Sequence, residues 1–273
     1  MATTTPLTKD EIVQTAETLA SARFSGGLLE GFPGRVPGTL DEAYQVQDLV
    51  ISAAPEPIVG WKIGMIPPEL REQYGAERII GPVFDNVNHF LGRAHDDNEK
   101  IVLPVFAGGF IAVEAEIVIE IGQDIEPGSV DTAGGVEHLV KAMYAGVEIA
   151  SSPVPDLNSY GPAAIISDIG NQHGMVIGPV IENWQTVLAE TTVETIINDE
   201  SINQAPANGI HNGQLGALAF FIDCCAKRGI KVPAGTMILT GATTGVHETL
   251  VNSFSTVKYG ALGNINMELV PIK

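Results

Sequence analysis

Phe110-Ile-Ala-Val-Glu-Ala-Glu-Ile-Val-Ile-Glu-Ile121 alternates with a period of two, the signature of a β-strand, whose successive side chains point to opposite faces. Its odd positions, Ile111, Val113, Ala115, Ile117, Ile119 and Ile121, make a wholly apolar, core-seeking face, and its even positions carry Glu114, Glu116 and Glu120 around Val118. Residues two apart on a strand have Cα atoms roughly 6.5 to 7 Å apart, near enough for the Glu114 and Glu116 carboxylates to converge on one cation. The alternative is a solvated face in which glutamates protect an edge. A third acid, Glu148, stands in Met143-Tyr-Ala-Gly-Val-Glu-Ile-Ala150, an otherwise uncharged run in which a lone carboxylate is costly unless paired or bound to metal. Glu114, Glu116 and Glu148, with no cysteine or histidine at ligand spacing, select a hard, oxygen-loving ion, Mg²⁺ or Mn²⁺, with positions left open for substrate.

Working outward, Ile58-Val-Gly-Trp-Lys-Ile-Gly64 is a short β-rich run with one charge. Lys62 there either snorkels to solvent or serves an anionic ligand. Further strands are expected near 101–105, 163–167, 173–181, 192–198, 236–241 and 264–270, with helices near 135–146 and 214–228. Upstream, Ile12, Ala16, Leu19 and Ala20 mark a helix over 9–22, and a second helix opens at Asp41 and ends before Pro55. Runs of strands punctuated by single helices predict an α+β chain, a rolled or sandwiched mixed sheet over 58–273 behind a small helical N-terminal region over 1–57.

Composition narrows the function. Of 273 residues 45% are hydrophobic, enough for a full core, and the formal charge of −19 repels phosphate backbones and anionic lipid. No nucleic-acid or membrane partner is therefore expected, and no apolar run approaches the roughly 20 residues of a membrane span. A polar start, Met1-Ala-Thr-Thr-Thr5, and vicinal cysteines Cys224 and Cys225 in a helix-like run fit a cytoplasmic protein without disulfides. Gly241-Ala-Thr-Thr-Gly245 lacks the Gly-Lys-Ser/Thr ending of a phosphate loop, and no Gly-x-Ser-x-Gly elbow occurs. His89, His95, Asp96 and Asp97 read as a polar loop, not a second metal site.

Gly60-Trp-Lys-Ile-Gly64, Val113-Glu-Ala-Glu-Ile117, Val147-Glu-Ile149 and Leu239-Thr-Gly-Ala242, in that order, resemble the hydratase/decarboxylase branch of the fumarylacetoacetate hydrolase superfamily, as does Asp41-Glu-Ala-Tyr-Gln-Val-Gln47. The resemblance implies a mixed β-sandwich roll of the fumarylacetoacetate hydrolase C-terminal type, a homo-oligomer, and a Mg²⁺ (or Mn²⁺) ion on Glu114, Glu116 and Glu148. It gives Lys62 a catalytic or carboxylate-orienting role and Thr240 and Gly241 substrate contacts. Asp168 and His173 join Lys62 as candidate catalytic groups, and Asn171 joins the candidate substrate contacts; His173 is read either as a base or as a structural histidine at a strand start. The implied activity is a metal-dependent lyase hydrating a 2-hydroxy-2,4-dienoate or 2-oxo-4-enoate acid. The alternatives are decarboxylation of a related 2-oxo diacid, C–C hydrolysis of an acylpyruvate, and a non-catalytic binding scaffold. Three departures bear on the choice: Ile79-Ile80 stand before Gly81 where family hydratases carry an acid, Ser152-Pro153 replace a Ser-Arg-like pair, and Ile169-Gly-Asn-Gln-His173 replaces a small-residue stretch after Asp168.

Overall fold

Thr8 and Glu11 cap each other's backbone at the start of α1 (Lys9–Ser25), and Thr39 and Glu42 do the same for α2 (Leu40–Ser52), so both helices begin where this reciprocal signature places them. The computed structural model describes residues 5–91 and 100–272. Met1 to Thr4, and His95, Asp96 and Asp97 of the polar loop, lie outside the described residues.

After α2 the chain continues as β1 (Ile58–Met65), α3 (Pro68–Tyr74), β2 (Arg78–Phe84), β3 (Asn88–Phe90), β4 (Lys100–Val105), β5 (Phe110–Ile121) and β6 (Val140–Ser152). It then forms α4 (Pro162–Ser167), β7 (Gln172–Val180), α5 (Trp184–Glu190), β8 (Thr192–Ile197), β9 (Glu200–Pro206) and α6 (Gly213–Arg228). The last elements are β10 (Met237–Leu239), β11 (His247–Glu248), β12 (Phe254–Lys258) and β13 (Asn264–Pro271). No helix among the described residues is long and apolar enough to cross a membrane.

Two expected elements are of the other kind. Residues 135–146, read as a helix, form one 3₁₀ turn, Glu137–Leu139, and then enter β6, which pairs with β5 along its whole length. The apolar spacing there fits a helix, but twelve residues of antiparallel pairing decide the outcome. Residues 163–167, read as a strand, form α4, because Pro162 occupies the first turn and Ala163-Ala164 favour helix.

One sheet runs β2-β1-β10-β5-β6-β7-β3, with β11 also on β5; the other runs β4-β13-β12-β8-β9. The apolar odd face of β5 packs against the second sheet, where Val257, Ile265, Met267 and Leu269 meet it, with Leu218 and Phe221 of α6 in the same core. The first sheet curls, bringing β2 back toward the start of β7: a Cβ on Gly81 would lie 2.3 Å from the Ile169 carbonyl oxygen. The even face of β5 thereby becomes an interior. At one end of it Val118, Leu239, Met175, Ile177 and Val83 pack together. At the other, Ile12, Ala16 and Leu19 of α1 and Val46 and Val50 of α2 pack on Phe110, Ala112 and Ala150, so the helical N-terminal region shares a core with the sheets.

Candidate metal centre

Between those two apolar plugs lie the carboxylates. Every residue of β5 is buried, so its glutamates do not protect a solvated edge. Register sets Glu114 directly opposite Glu148 of β6. Glu114, Glu116 and Glu148 each offer one carboxylate oxygen, and these oxygens lie within 4.8 Å of one another. Glu120 stands apart, beyond Val118, where it takes hydrogen bonds from Lys141 Nζ at 2.6 Å and the Tyr144 hydroxyl at 2.8 Å.

Lys62 enters from β1 and is buried rather than snorkelling. Its Nζ lies 3.2 Å from Glu148 Oε1 and donates to Asn171 Oδ1 at 3.3 Å. Asn171 is placed by three successive left-handed residues, Ile169 (φ 50°), Gly170 (φ 75°) and Asn171 (φ 55°). That conformation is unfavourable for a β-branched residue and is the kind of local strain found at functional sites. Glycines at 81 and 170 let this turn approach: a Cβ on Gly170 would sit 3.1 Å from both Gly81 Cα and Lys62 Cδ.

The charges are unbalanced. Burial drives the Glu116 carboxyl well above its ordinary range, and the neighbouring charges of Glu148 and Glu114 push it further. Burial likewise raises Glu114. Glu148 is pushed up to about 8 by burial, against the pull of Lys62. Burial alone would lower the Lys62 ammonium, but the charges of Glu148, Glu114 and Glu116 outweigh it and hold its pKa above the ordinary value.

Gly241 N–H donates to Glu116 Oε2 at 2.6 Å, while Glu116 Oε1 and Glu148 Oε2, both buried, take no hydrogen bond from any described residue. Orphaned buried acceptors are expensive. Three converging carboxylates with unpaired oxygens therefore fit a hard divalent cation, which satisfies the lone pairs and cancels the repulsion.

A stability test follows. The folded, metal-free protein holds a proton on Glu148 up to about pH 8, whereas the unfolded chain loses it near the ordinary value of 4.5, so folded binds more protons than unfolded in this window. Stability of the metal-free protein must fall as pH rises through that window. Melting temperatures in chelator are expected to drop between about pH 5 and pH 8 and to recover with Mg²⁺. A flat profile, unmoved by the cation, would contradict the charge imbalance.

A cavity of about 370 Å³ opens beside the trio. Lys62, Glu114, Asn158 and Asn171 supply its polar wall, and Met65, Leu70, Ile79, Ile165 and Val246 much of the rest. Among the described residues Lys62 is the one cationic side chain lining it. Of the residues singled out in the sequence, the fold thus brings together Glu114, Glu116, Glu148, Lys62 and Asn171. Thr240 is fully buried, its hydroxyl donating to the Ile117 carbonyl at 2.8 Å, and Gly241 touches Glu116; neither lines the cavity.

Asp168 and His173 lie behind the Asn171 turn. Asp168 is fully buried and accepts from Arg23, at 3.0 Å from Nε and 2.5 Å from the terminal nitrogen. Arg23 also donates to the Gln172 and Ser151 carbonyls, tying α1 to β6 and β7. The His173 ring packs 4.9 Å from that of Phe106, and burial followed by the nearby Arg23 charge lowers its pKa to about 3, leaving it neutral. Sequence reasoning missed Arg23, although it continues the buried stripe of Ile12, Ala16 and Leu19 by one further turn.

No family model matches the chain. Over 270 residues it is 23% identical to 4-oxalocrotonate decarboxylase of Pseudomonas putida, covering 97% of this chain and 98% of that protein. The solved 4-oxalocrotonate decarboxylase from Pseudomonas putida G7, complexed with magnesium and adipate, superposes with a TM-score of 0.78 at 20% identity, covering 98% of this chain and all of that one. Fumarylpyruvate hydrolase from Pseudomonas aeruginosa, in complex with Mn²⁺ and pyruvate, superposes with a TM-score of 0.52 at 13% identity, over 80% of this chain and 91% of that one. These likenesses concern the fold, the curled sheet packed on a second sheet.

Proposed function

We propose that this chain, which has the fold of the fumarylacetoacetate hydrolase superfamily and resembles its hydratase/decarboxylase branch along nearly its whole length, is a divalent-metal-dependent decarboxylase of a small 2-oxo diacid. Its nature as an enzyme of small 2-oxo acids rests on the carboxylate trio, whose member Glu114 lines a cavity with one lysine. The choice of decarboxylation rests on Ile79.

Hydration needs a proton donor and a group to direct water. At Ile79 the cavity wall is a buried aliphatic side chain, and Glu114 is the one carboxyl group among the described lining residues. Decarboxylation asks for the opposite surroundings. A leaving carboxylate held against apolar walls, away from water and cations, is less stabilised than the dispersed charge that replaces it. In a 2-oxo diacid whose ketone is conjugated to a double bond, the bond to the distal carboxylate breaks and carbon dioxide leaves. The electron pair moves along the conjugated chain to the ketone oxygen, which takes one proton to give a dienol. Met65, Leu70, Ile79, Ile165 and Val246 are the walls proposed for the distal end.

Glu114, Glu116 and Glu148 would hold a Mg²⁺ or Mn²⁺ ion, which would supply Lewis acidity to a 2-oxo acid in the cavity. Lys62, kept protonated by the surrounding carboxylates, orients the proximal carboxylate and is placed to give a proton to the ketone oxygen. Asn171 holds the ammonium in position, and Asp168, locked by Arg23, supports the turn that presents Asn171. Gly241 aims the Glu116 carboxylate through its amide, Thr240 pins the same stretch of β5, and neutral His173 packs the start of β7. Assembly as a homo-oligomer is part of the proposal, supported by strongly exposed apolar side chains such as Leu250 and Phe90.

The test is product identity. With Mg²⁺ and 2-oxohex-3-enedioate the protein is expected to release carbon dioxide and form 2-hydroxypenta-2,4-dienoate. Addition of water to that dienol without decarboxylation would establish the hydratase instead, and two fragments from an acylpyruvate would establish the C–C hydrolase. Turnover of none, with the acids still bound, would leave a binding scaffold. Ile79→Asp, which sets a like charge beside the distal carboxylate, is expected to weaken substrate binding and raise KM by roughly tenfold or more.

A further inference from the structure

Tyr259 directly follows β12 of the second sheet, yet its side chain reaches the backbone of the first. Its hydroxyl accepts from the Glu116 N–H at 3.1 Å, lies 3.1 Å from the Glu116 carbonyl oxygen and donates to the Gly146 carbonyl oxygen at still closer range. Glu116 and Gly146 are direct register partners on β5 and β6. Opposed residues that face each other across an antiparallel ladder with their polar groups ordinarily exchange both N–H···O bonds. Here a phenol from the opposing layer takes the Glu116 donor and caps the Gly146 acceptor, so that one side chain bonds to both strands at that point.

The depth of the hydroxyl is fixed from below. The Tyr259 N–H donates to the Gly263 carbonyl at 2.9 Å, and the Leu262 N–H returns to the Tyr259 carbonyl at 3.1 Å, closing a tight turn beneath the ring. The strand above is equally constrained, since a Cβ on Gly146 would lie 2.5 Å from Val118 Cγ2 and 2.9 Å from the Val176 carbonyl oxygen. Glu148 is two residues beyond Gly146 on the same strand, so the local separation of β5 and β6 governs the gap between the Glu116 and Glu148 carboxylates.

We propose that Tyr259 is a positioning residue of the metal centre, its hydroxyl wedged between β5 and β6 to set the spacing of the Glu116 and Glu148 carboxylates. A buried tyrosine that merely needs an acceptor would be satisfied by any carbonyl. This one uses the backbone of a carboxylate donor and of its opposed partner. The inference rests on the reading that the trio holds a divalent cation.

The full chain carrying Tyr259→Phe, freed of metal with chelator, is titrated with Mn²⁺ by electron paramagnetic resonance. Val257→Ala, a core truncation on the adjoining β12 with no contact to the trio, serves as the packing control. Mn²⁺ affinity is expected to fall about tenfold in Tyr259→Phe, within the range for lost outer-sphere support, and to stay at the wild-type value in Val257→Ala even where its melting temperature falls further. At saturating metal kcat is expected to recover while the metal requirement stays raised. Equal Mn²⁺ affinity in wild type and Tyr259→Phe overturns the proposal, whereas a wild type that binds no Mn²⁺ overturns the metal site itself. Should Tyr259→Phe not fold, amide exchange on the native protein decides: Mn²⁺ is expected to slow the amides of Glu116 and Tyr259 together, and slowing confined to β5 and β6 overturns the coupling.

Discussion

Replacing Glu116 by Gln is expected to weaken divalent-cation binding by more than about a hundredfold, beyond the loss typical of an outer-sphere partner, while leaving the metal-free protein as stable as wild type or more so. Glu116 has the least compensated charge of the trio. It is fully buried, its Oε1 is unpaired, and both Glu114 and Glu148 oppose its ionisation. Gln keeps the shape and an oxygen for the Gly241 amide while removing the repelled charge. Relief of that repulsion in the metal-free state is a gain in stability made at the expense of function. Calorimetric titration with Mn²⁺ and melting in chelator read the two halves separately. Full Mn²⁺ affinity in the variant would remove Glu116 from the site, and a marked fall in the metal-free melting temperature would show that its charge is stabilising.

The same balance explains what was legible in the sequence. Strand alternation alone placed Glu114 and Glu116 on one face, and the cost of isolating Glu148 in an uncharged run marked it as paired or bound. The sequence does not contain the partner face. β5 looks amphipathic, yet both its sides are buried, because the first sheet curls and α1 and α2 close one end of the interior. Residues 135–146 read as a helix for the same reason: the apolar spacing is ambiguous in isolation, and the part that enters β6 is resolved only by pairing with β5 on one edge and β7 on the other.

Side chains that act across long separations were the least visible. Arg23 meets Asp168 across 145 positions, and Tyr259 meets Glu116 across 143. Asp168 and His173 looked equivalent to Lys62 as titratable groups near family motifs. In the fold the Asn171 turn stands between them and the cavity, and Arg23 already neutralises Asp168. Proximity in sequence to Asn171 carried no information about which side of the turn each residue faces.

Lys62→Met is expected to reduce kcat by roughly a thousandfold at saturating metal, the middle of the range for losing a positioned proton donor. Lys62 also partly neutralises the trio, so its removal has an electrostatic signature that simple misfolding lacks. Without the ammonium, Glu148 titrates above its present value of about 8, and a larger share of the metal-free protein is protonated at neutral pH. Metal binding must then displace more protons, so Mn²⁺ affinity in the variant is expected to be weaker than wild type near pH 7. At pH high enough to ionise Glu148 in both proteins, the variant, no longer holding a cation beside the incoming ion, is expected to bind as tightly or more tightly. Turnover close to wild type would leave Lys62 no catalytic part. Affinity curves that run parallel from pH 7 upward would show instead that the lysine and the metal do not share the Glu148 carboxylate.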